Sequence, residues 1–149
     1  MTRRRVLFLC TGNSARSQMA EAWLRHRAGD HFEVFSAGTE PKSAIHPLAS
    51  QVMAEIGVAI AGQYPKSLAP FVSEPWDFVI TVCDRARESC PFFPQHHEQI
   101  HWSFRDPAAA TGDDEVRLEA FCKVRDEIMR RIDLFVTAQT RVVLDEAPS

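Results

Sequence analysis

The chain of 149 residues has no apolar run approaching the roughly 18 residues that a membrane-spanning helix needs. Its start lacks the features of a secretory signal. "VLFLC" is too short for an h-region, and no small-residue cleavage site follows it. The chain also lacks the basic stripe of a nucleic-acid binder. Its formal charge is −3, and Arg3, Arg4 and Arg5 form the only dense basic cluster, read as a solvated chain start before a buried strand. No repeat, linker or low-complexity segment divides it, so a single domain, 1–149, is expected. A domain of this length can bury about 70% of its unfolded surface and needs no disulfide staples. The expected setting is the cytoplasm, as a monomer without nucleic-acid or membrane partners, where structural disulfides are rare. The four cysteines therefore point to reactive thiols, metal ligands or packing.

What is present is an alternation of short apolar runs and helical patterns. "RRVLFLC" (4–10) reads as a buried parallel strand. Thr11, Gly12 and Asn13 make a turn. Ser14 to Ala28 read as a helix with Met19, Ala20, Trp23 and Leu24 on one face, stopped by Gly29 and Asp30. "FEVFSAG" is a second strand ended by Gly38, and "HPLASQVMAEIG" a second helix closed by Gly57. "PKSLAPF" reads as a short helical turn, "WDFVITVCD" as a third strand and "IHW" as a short fourth. Asp113 to Thr137 form a long helix with Leu118, Phe121, Val124, Ile128, Ile132 and Phe135 at helical spacing. The tail from about 139 is expected to fray. The fold class is α/β, a four-stranded parallel sheet with helices on both faces. Right-handed crossovers align the C-terminal strand ends on one edge, where such folds bind ligands. Cys10 and Cys83 both end predicted strands, so both belong there.

The loop after the first strand carries the densest chemistry. A strand end followed by a helix start presents free backbone N–H groups, and the helix dipole adds positive charge. Together they seat an oxyanion. The predicted seat is Thr11, Gly12, Asn13, Ser14, Ala15, Arg16 and Ser17, with Cys10 at its base. Gly12 lets the backbone turn inward. Arg16, on the first helical turn, can close over a tetrahedral anion with two N–H donors. Asn13 can bond backbone groups across the turn, and Ser14 and Ser17 offer hydroxyls to the sulfur. The same field is expected to lower the Cys10 pKa from about 8.5 toward the roughly 3.5–7.5 of activated thiols.

"CTGNSARS" has the C-x5-R pattern and resembles low-molecular-weight protein tyrosine phosphatases. The longer run "FLCTGNSARSQMAEAW" is more similar to the thioredoxin-coupled arsenate reductases that share that fold. The resemblance extends from Val6 to about Ile132 through "VFSAG", "TVCD", "CPFFP", "HWSFRDPA" and "KVRDEI". It implies that Cys10 attacks arsenate, that Cys83 attacks Cys10 as arsenite leaves, and that Cys90 then pairs with Cys83 in a disulfide reduced by thioredoxin. It also implies that Asp106, held extended by Pro107, protonates the leaving oxygen. Ala108, Ala109 and Ala110 stand where phosphatases of this fold carry aromatic residues, which favours a small inorganic anion such as arsenate.

Spacing adds a constraint. In a straight helix Cys83 and Cys90 would lie roughly 10 Å apart, and a disulfide needs less than about 7 Å. "DRARES" is therefore expected to be helical with free thiols and looped when oxidised. Two other readings of these cysteines stay open, a zinc site with His96, His97 or His101 and plain core packing. Cys122, beside Phe121 on an apolar helix face, is read as packing. The phosphomonoesterase alternative uses the same Cys10, Arg16 and Asp106, and a non-catalytic redox or arsenite-sensing module is a third reading. No metal cofactor is expected. Some relatives hold a monovalent cation near the counterparts of Asn13, Glu21 and Ser36, but here "YPKSL" puts Lys66 where they have an acid, so Lys66 can supply that charge itself.

Overall fold

Strand β1 (Arg4–Cys10) is buried at every position from Val6 to Cys10, as a strand covered on both faces must be. It sits inside the sheet order β2 (Phe32–Gly38), β1, β3 (Trp76–Thr81), β4 (His96–His101), and every pairing is parallel. The computed structural model describes the backbone of residues 3–60 and 62–146, and their side chains apart from His97 and 141–146. Val6, Phe8 and Cys10 point into one layer, Leu7 and Leu9 into the other. The thicker layer holds helices α1 (Arg16–Ala28), α2 (Pro47–Glu55) and α4 (Asp114–Glu146). The thinner one is covered by the 3₁₀ turn Ala69–Phe71 with its flanks Leu68 and Val72, and by Phe93 and Cys90. Among the described residues no helix is long and apolar enough to cross a membrane.

The elements differ from expectation mainly at their ends. Helix α1 begins at Arg16 rather than Ser14, because Ser14 and Ala15 stay in the loop. It is also buried beyond the expected apolar face: Ser17, Gln18 and Glu21 are as enclosed as Met19 and Leu24, while Trp23 is only partly buried. Strand β3 stops at Thr81. Cys83 follows in extended conformation and caps the short helix α3 (Asp84–Glu88). Strand β4 starts at His96 and not at Ile100, since its polar "HHEQ" edge carries no apolar run to mark it. The tail expected to fray from 139 is instead helical to Glu146, with Arg4 Nη1 donating 2.8 Å to the Gln139 side chain. Residues 147–149 lie outside the described residues.

In α4, Phe121, Val124, Ile128 and Ile132 are all buried against the sheet layer, at the expected spacing. Each contributes roughly 1.5–3 kcal/mol by leaving water. This packing fixes the sheet whose β1 and β3 ends adjoin, with Leu9 opposite Thr81. The residues that follow those two ends make the site.

Candidate active site

From Cys10 to Ala15 every backbone carbonyl has a partner away from the cleft. Thr39 N–H donates to Cys10 O (3.1 Å), Glu40 to Thr11 (2.9 Å), Lys42 to Gly12 (2.9 Å), His46 to Ser14 (2.8 Å) and Met19 to Ala15 (2.9 Å). The Gln18 side chain takes Asn13 O at 3.0 Å. By contrast, among the described residues the N–H groups of 12–16 have no protein partner. Segment 39–46 thus acts as a strap that draws the carbonyls outward and leaves a nest of donors. Helix α1 adds to it, for its N-terminus has no side-chain cap and no acid in its first turn.

Two residues make this loop possible. Asn13 carries a positive φ, 49°. Its buried side chain donates to Ser17 Oγ (2.8 Å) and Ser36 Oγ (3.0 Å) and accepts from Lys66 N–H (3.0 Å), which fixes that conformation. Ser17, whose hydroxyl was expected to donate to the sulfur, accepts this bond from Asn13 with its oxygen. Gly12 instead makes room for Lys42: a Cβ there would meet its stem at 3.2 Å. At Gly38 a Cβ would stand 2.6 Å from Thr11 O, so only glycine lets β2 pass so close to the loop.

The loop lines a cleft of about 740 Å³ that also contains Cys83, Phe104, Asp106 and Ala108. A larger groove of about 980 Å³ runs along α4 and shares Arg105 and Asp106, but holds no cysteine. Arg16 Nη1 donates to Phe104 O (2.9 Å), and Nη2 lies 3.9 Å from Asp106 Oδ2. Asp106 Oδ1 accepts from Ala108 N–H (3.0 Å), capping the turn Pro107–Ala109 with an extended backbone, as Pro107 demands. Arg16 and Asp106 are brought to the cleft together with Cys10, as expected.

Cys10 and Cys83 are free and buried, and both line the cleft. Cys83 Sγ also lies 3.4 Å from Thr11 Oγ1 and accepts from Ala86 N–H (3.4 Å). The Cys10 pKa was expected to fall. Instead its hydrogen bond to Cys83 and its burial push it up, against the pull of Arg16 and the Thr11 N–H. Cys83 is drawn down to about 5 by Cys10, Thr11, the Ala86 N–H and Arg16, despite burial. The two thiols therefore titrate as one unit. The first proton leaves easily because donors and Arg16 face the charge, and the second is held because two anionic sulfurs would share a buried site.

Helix α3 joins Cys83 to Cys90, helical with free thiols as expected. Cys90 is half-buried in the thin layer. It accepts from Gln99 Nε2 at 3.4 Å, and burial raises its pKa. Among the described residues no group of three His, Cys, Asp or Glu could hold a metal. His96 Nδ1 is engaged by Phe93 O and His101 by Thr81 and Asp84; the His97 side chain lies outside the described residues. Nor do Asn13, Ser36 and Glu21 fit a monovalent cation. Asn13 is bonded on both amide atoms, and Glu21 already faces the Ser36 hydroxyl, Arg25 and, at 3.8 Å, the Lys66 ammonium. Cys122 packs partly against the core, 3.7 Å from Glu55 Oε2.

Sequence reasoning passed over the strap. "TEPKSAIH" has no periodicity and no chemical motif, and its role comes from backbone N–H groups that any residue but proline supplies.

Residues 5–143 match the family described as low molecular weight phosphotyrosine protein phosphatase. An arsenate reductase of Halalkalibacterium halodurans is 43% identical over 135 residues, 91% of this chain and 96% of that one. A solved arsenate reductase in its phosphate-binding state is 29% identical, with a TM-score of 0.78 over 91% of this chain and 98% of that one. A solved thioredoxin-dependent arsenate reductase of Corynebacterium glutamicum is 35% identical, with a TM-score of 0.63 over 89% of this chain and 63% of that one.

Proposed function

We propose that this chain, which belongs to the low-molecular-weight phosphotyrosine protein phosphatase family, reduces arsenate to arsenite by a relay of three cysteines. The observation that carries this reading is the pair of free thiols, Cys10 and Cys83, in one cleft lined with unpaired loop N–H groups. Ester hydrolysis uses one nucleophilic thiol. A two-electron reduction consumes two, and they have to meet.

Arsenate binds through the N–H groups of residues 11–17, and Arg16 closes over it. The single proton of the thiol pair moves to Cys83, which leaves Cys10 as thiolate. Cys10 attacks arsenic, an As–S bond forms, and the departing oxygen takes a proton from the carboxylic acid of Asp106 and leaves as water. Cys83 then gives its proton to the Asp106 carboxylate, left unprotonated in the same cleft, and attacks Cys10 Sγ as thiolate, stabilised by Thr11 Oγ1 and the Ala86 N–H. The S–S bond forms, the As–S bond breaks, and its electron pair stays on arsenic, which departs as arsenite. Cys90 attacks Cys83 Sγ next, freeing Cys10 and leaving a Cys83–Cys90 disulfide. The dithiol of thioredoxin reduces it, in keeping with the thioredoxin-dependent relative.

The same Cys10, Arg16 and Asp106 support slow phosphomonoester cleavage as a side activity. Ala108 adds no aromatic wall of its own to the cleft, which favours the small anion. The protein works as a cytoplasmic monomer without a metal cofactor, Lys66 supplying the positive charge beside Glu21. A coupled assay with thioredoxin tests the reading. Arsenite is expected from the wild type and not from Cys90→Ser, while Cys90→Ser still cleaves a phosphate monoester. Arsenite formation that survives Cys90→Ser at full rate over many turnovers rules out the thioredoxin relay.

A further inference from the structure

We propose that Asp84 and His101 are positioning residues for the relay: they form a catch that ties the first turn of α3 to β4 and must open before Cys83 can pair with Cys90. This rests on the relay reading above. His101 ends β4 directly opposite Thr81 on β3. Its Nδ1 lies 2.7 Å from Thr81 Oγ1, and its Nε2 lies 2.9 Å from Asp84 Oδ1. Thr81 is buried inside the sheet, so one edge of the imidazole is anchored to a rigid element. The other edge holds the residue that follows Cys83. Ser103 Oγ reaches the same Asp84 oxygen at 3.4 Å.

The need for a catch follows from where the two sulfurs lie. Cys83 packs in the thick layer with α1 and α4, and Cys90 packs in the thin layer with Leu7, Leu9 and Phe93. They share no hydrogen bond; their partners are Thr11 and Ala86 on one side, Gln99 and Pro91 O on the other. Bringing them within disulfide reach requires the residues between them to leave their helical path. Thr11 and Ala86 hold Cys83 through its reacting sulfur, and those bonds are lost by the chemistry itself. The Asp84–His101 tie engages neither sulfur. It can therefore set how readily the segment is released without taking part in bond exchange. A second tie, Arg85 to Glu40 at 3.1 Å, is exposed at both ends, whereas His101 is largely covered, so solvent screens it more.

A tie made only in the dithiol form stabilises that form over the disulfide. Its loss should shift the exchange between the enzyme disulfide plus reduced thioredoxin and the enzyme dithiol plus oxidised thioredoxin toward the enzyme disulfide. The test measures that equilibrium constant for the full chain by thiol trapping and peptide mass spectrometry. The proteins compared are wild type, Asp84→Ala, His101→Ala, the double variant and Asp84→Asn. Each alanine variant is expected to favour the Cys83–Cys90 disulfide by roughly 3- to 10-fold, the upper end being about 30 mV. The double variant is expected to shift no further than either single one, because the two residues act through one another. Asp84→Asn, which keeps an acceptor for Nε2–H, should recover part of the shift. Asp84 is an exposed side chain, so its variants carry the test even if His101→Ala fails to fold. An equilibrium constant unmoved by Asp84→Ala, or shifts that simply add in the double variant, would overturn the catch. A wild type that forms no Cys83–Cys90 disulfide after arsenate turnover would instead overturn the relay itself.

Discussion

The two segments that bring the reacting thiols are held in opposite ways. Loop 10–16 leaves the inside of the sheet with every carbonyl up to Ala15 taken, four of them by one strap, and with Asn13 locked by buried bonds to Ser17, Ser36 and Lys66. Segment 83–90 is a five-residue helix fastened by thiol contacts and by exposed ties to His101, Ser103 and Glu40. The difference follows the work asked of each. Stabilising an oxyanion needs dipoles that do not reorganise, so that loop is braced from outside. Passing a disulfide needs one sulfur to travel, so its carrier is short and lightly held. Cys10 and Cys83 share a cleft where the braced segment meets the loose one.

The strongest way to separate the two roles is to remove Cys83. Cys83→Ser should abolish catalytic arsenate turnover, while phosphate monoester cleavage by Cys10 stays within about 10-fold of wild type; steady-state rates on both substrates decide it. Equal loss of both activities would mean that Cys83 serves the braced site rather than the relay. Removing the acid comes next. Asp106→Asn should lower kcat on both substrates by about 10²–10⁴-fold, with thermal stability unchanged because the side chain is half-exposed.

Bracing itself is tested at Gly38. A methyl group there must displace Thr11 O from 2.6 Å, so Gly38→Ala should destabilise the fold by about 1–3 kcal/mol in urea titration and weaken phosphate binding. A variant of unchanged stability and affinity would show that the loop is softer than its bonding suggests. The smallest effect concerns pH. Cys83 is drawn down to about 5, chiefly by the Cys10 thiol. A lowered acid contributes stability that is complete above the unfolded thiol value of about 8.5 and is lost as pH falls through about 5. The alkylation rate of Cys83 should therefore stay nearly flat from pH 8 to pH 6 and fall near pH 5. In Cys10→Ala that fall should move to higher pH.

Much of this was legible in the sequence, and what was hidden has identifiable causes. Periodicity marked β1, α1 and the Phe121–Ile132 stripe of α4, because burial on a fixed face leaves a repeating apolar pattern. Cys10, Arg16, Cys83, Cys90 and Asp106 stood out because few residue types do their chemistry. Strand β4 was misjudged because His96 to Gln99 form a polar edge. The continuation of α4 to Glu146 was missed because its tie runs from Gln139 to Arg4, far away in the chain. The titration of Cys10 was misjudged for the same reason. Local donors suggest a lowered thiol, but a second thiol following β3 shares the site, and burial with that neighbour pushes Cys10 up. His101 and Asp84 carry no pattern at all until parallel pairing sets Thr81 beside His101.

The account depends most on two electrons passing from sulfur to arsenic. Quantifying arsenite and mapping thiols by mass spectrometry after one equivalent of arsenate, with no external reductant, measures this directly. One arsenite and one Cys83–Cys90 disulfide per chain, with Cys10 free again, is the predicted result. Arsenate recovered unchanged with Cys10, Cys83 and Cys90 still free would contradict it.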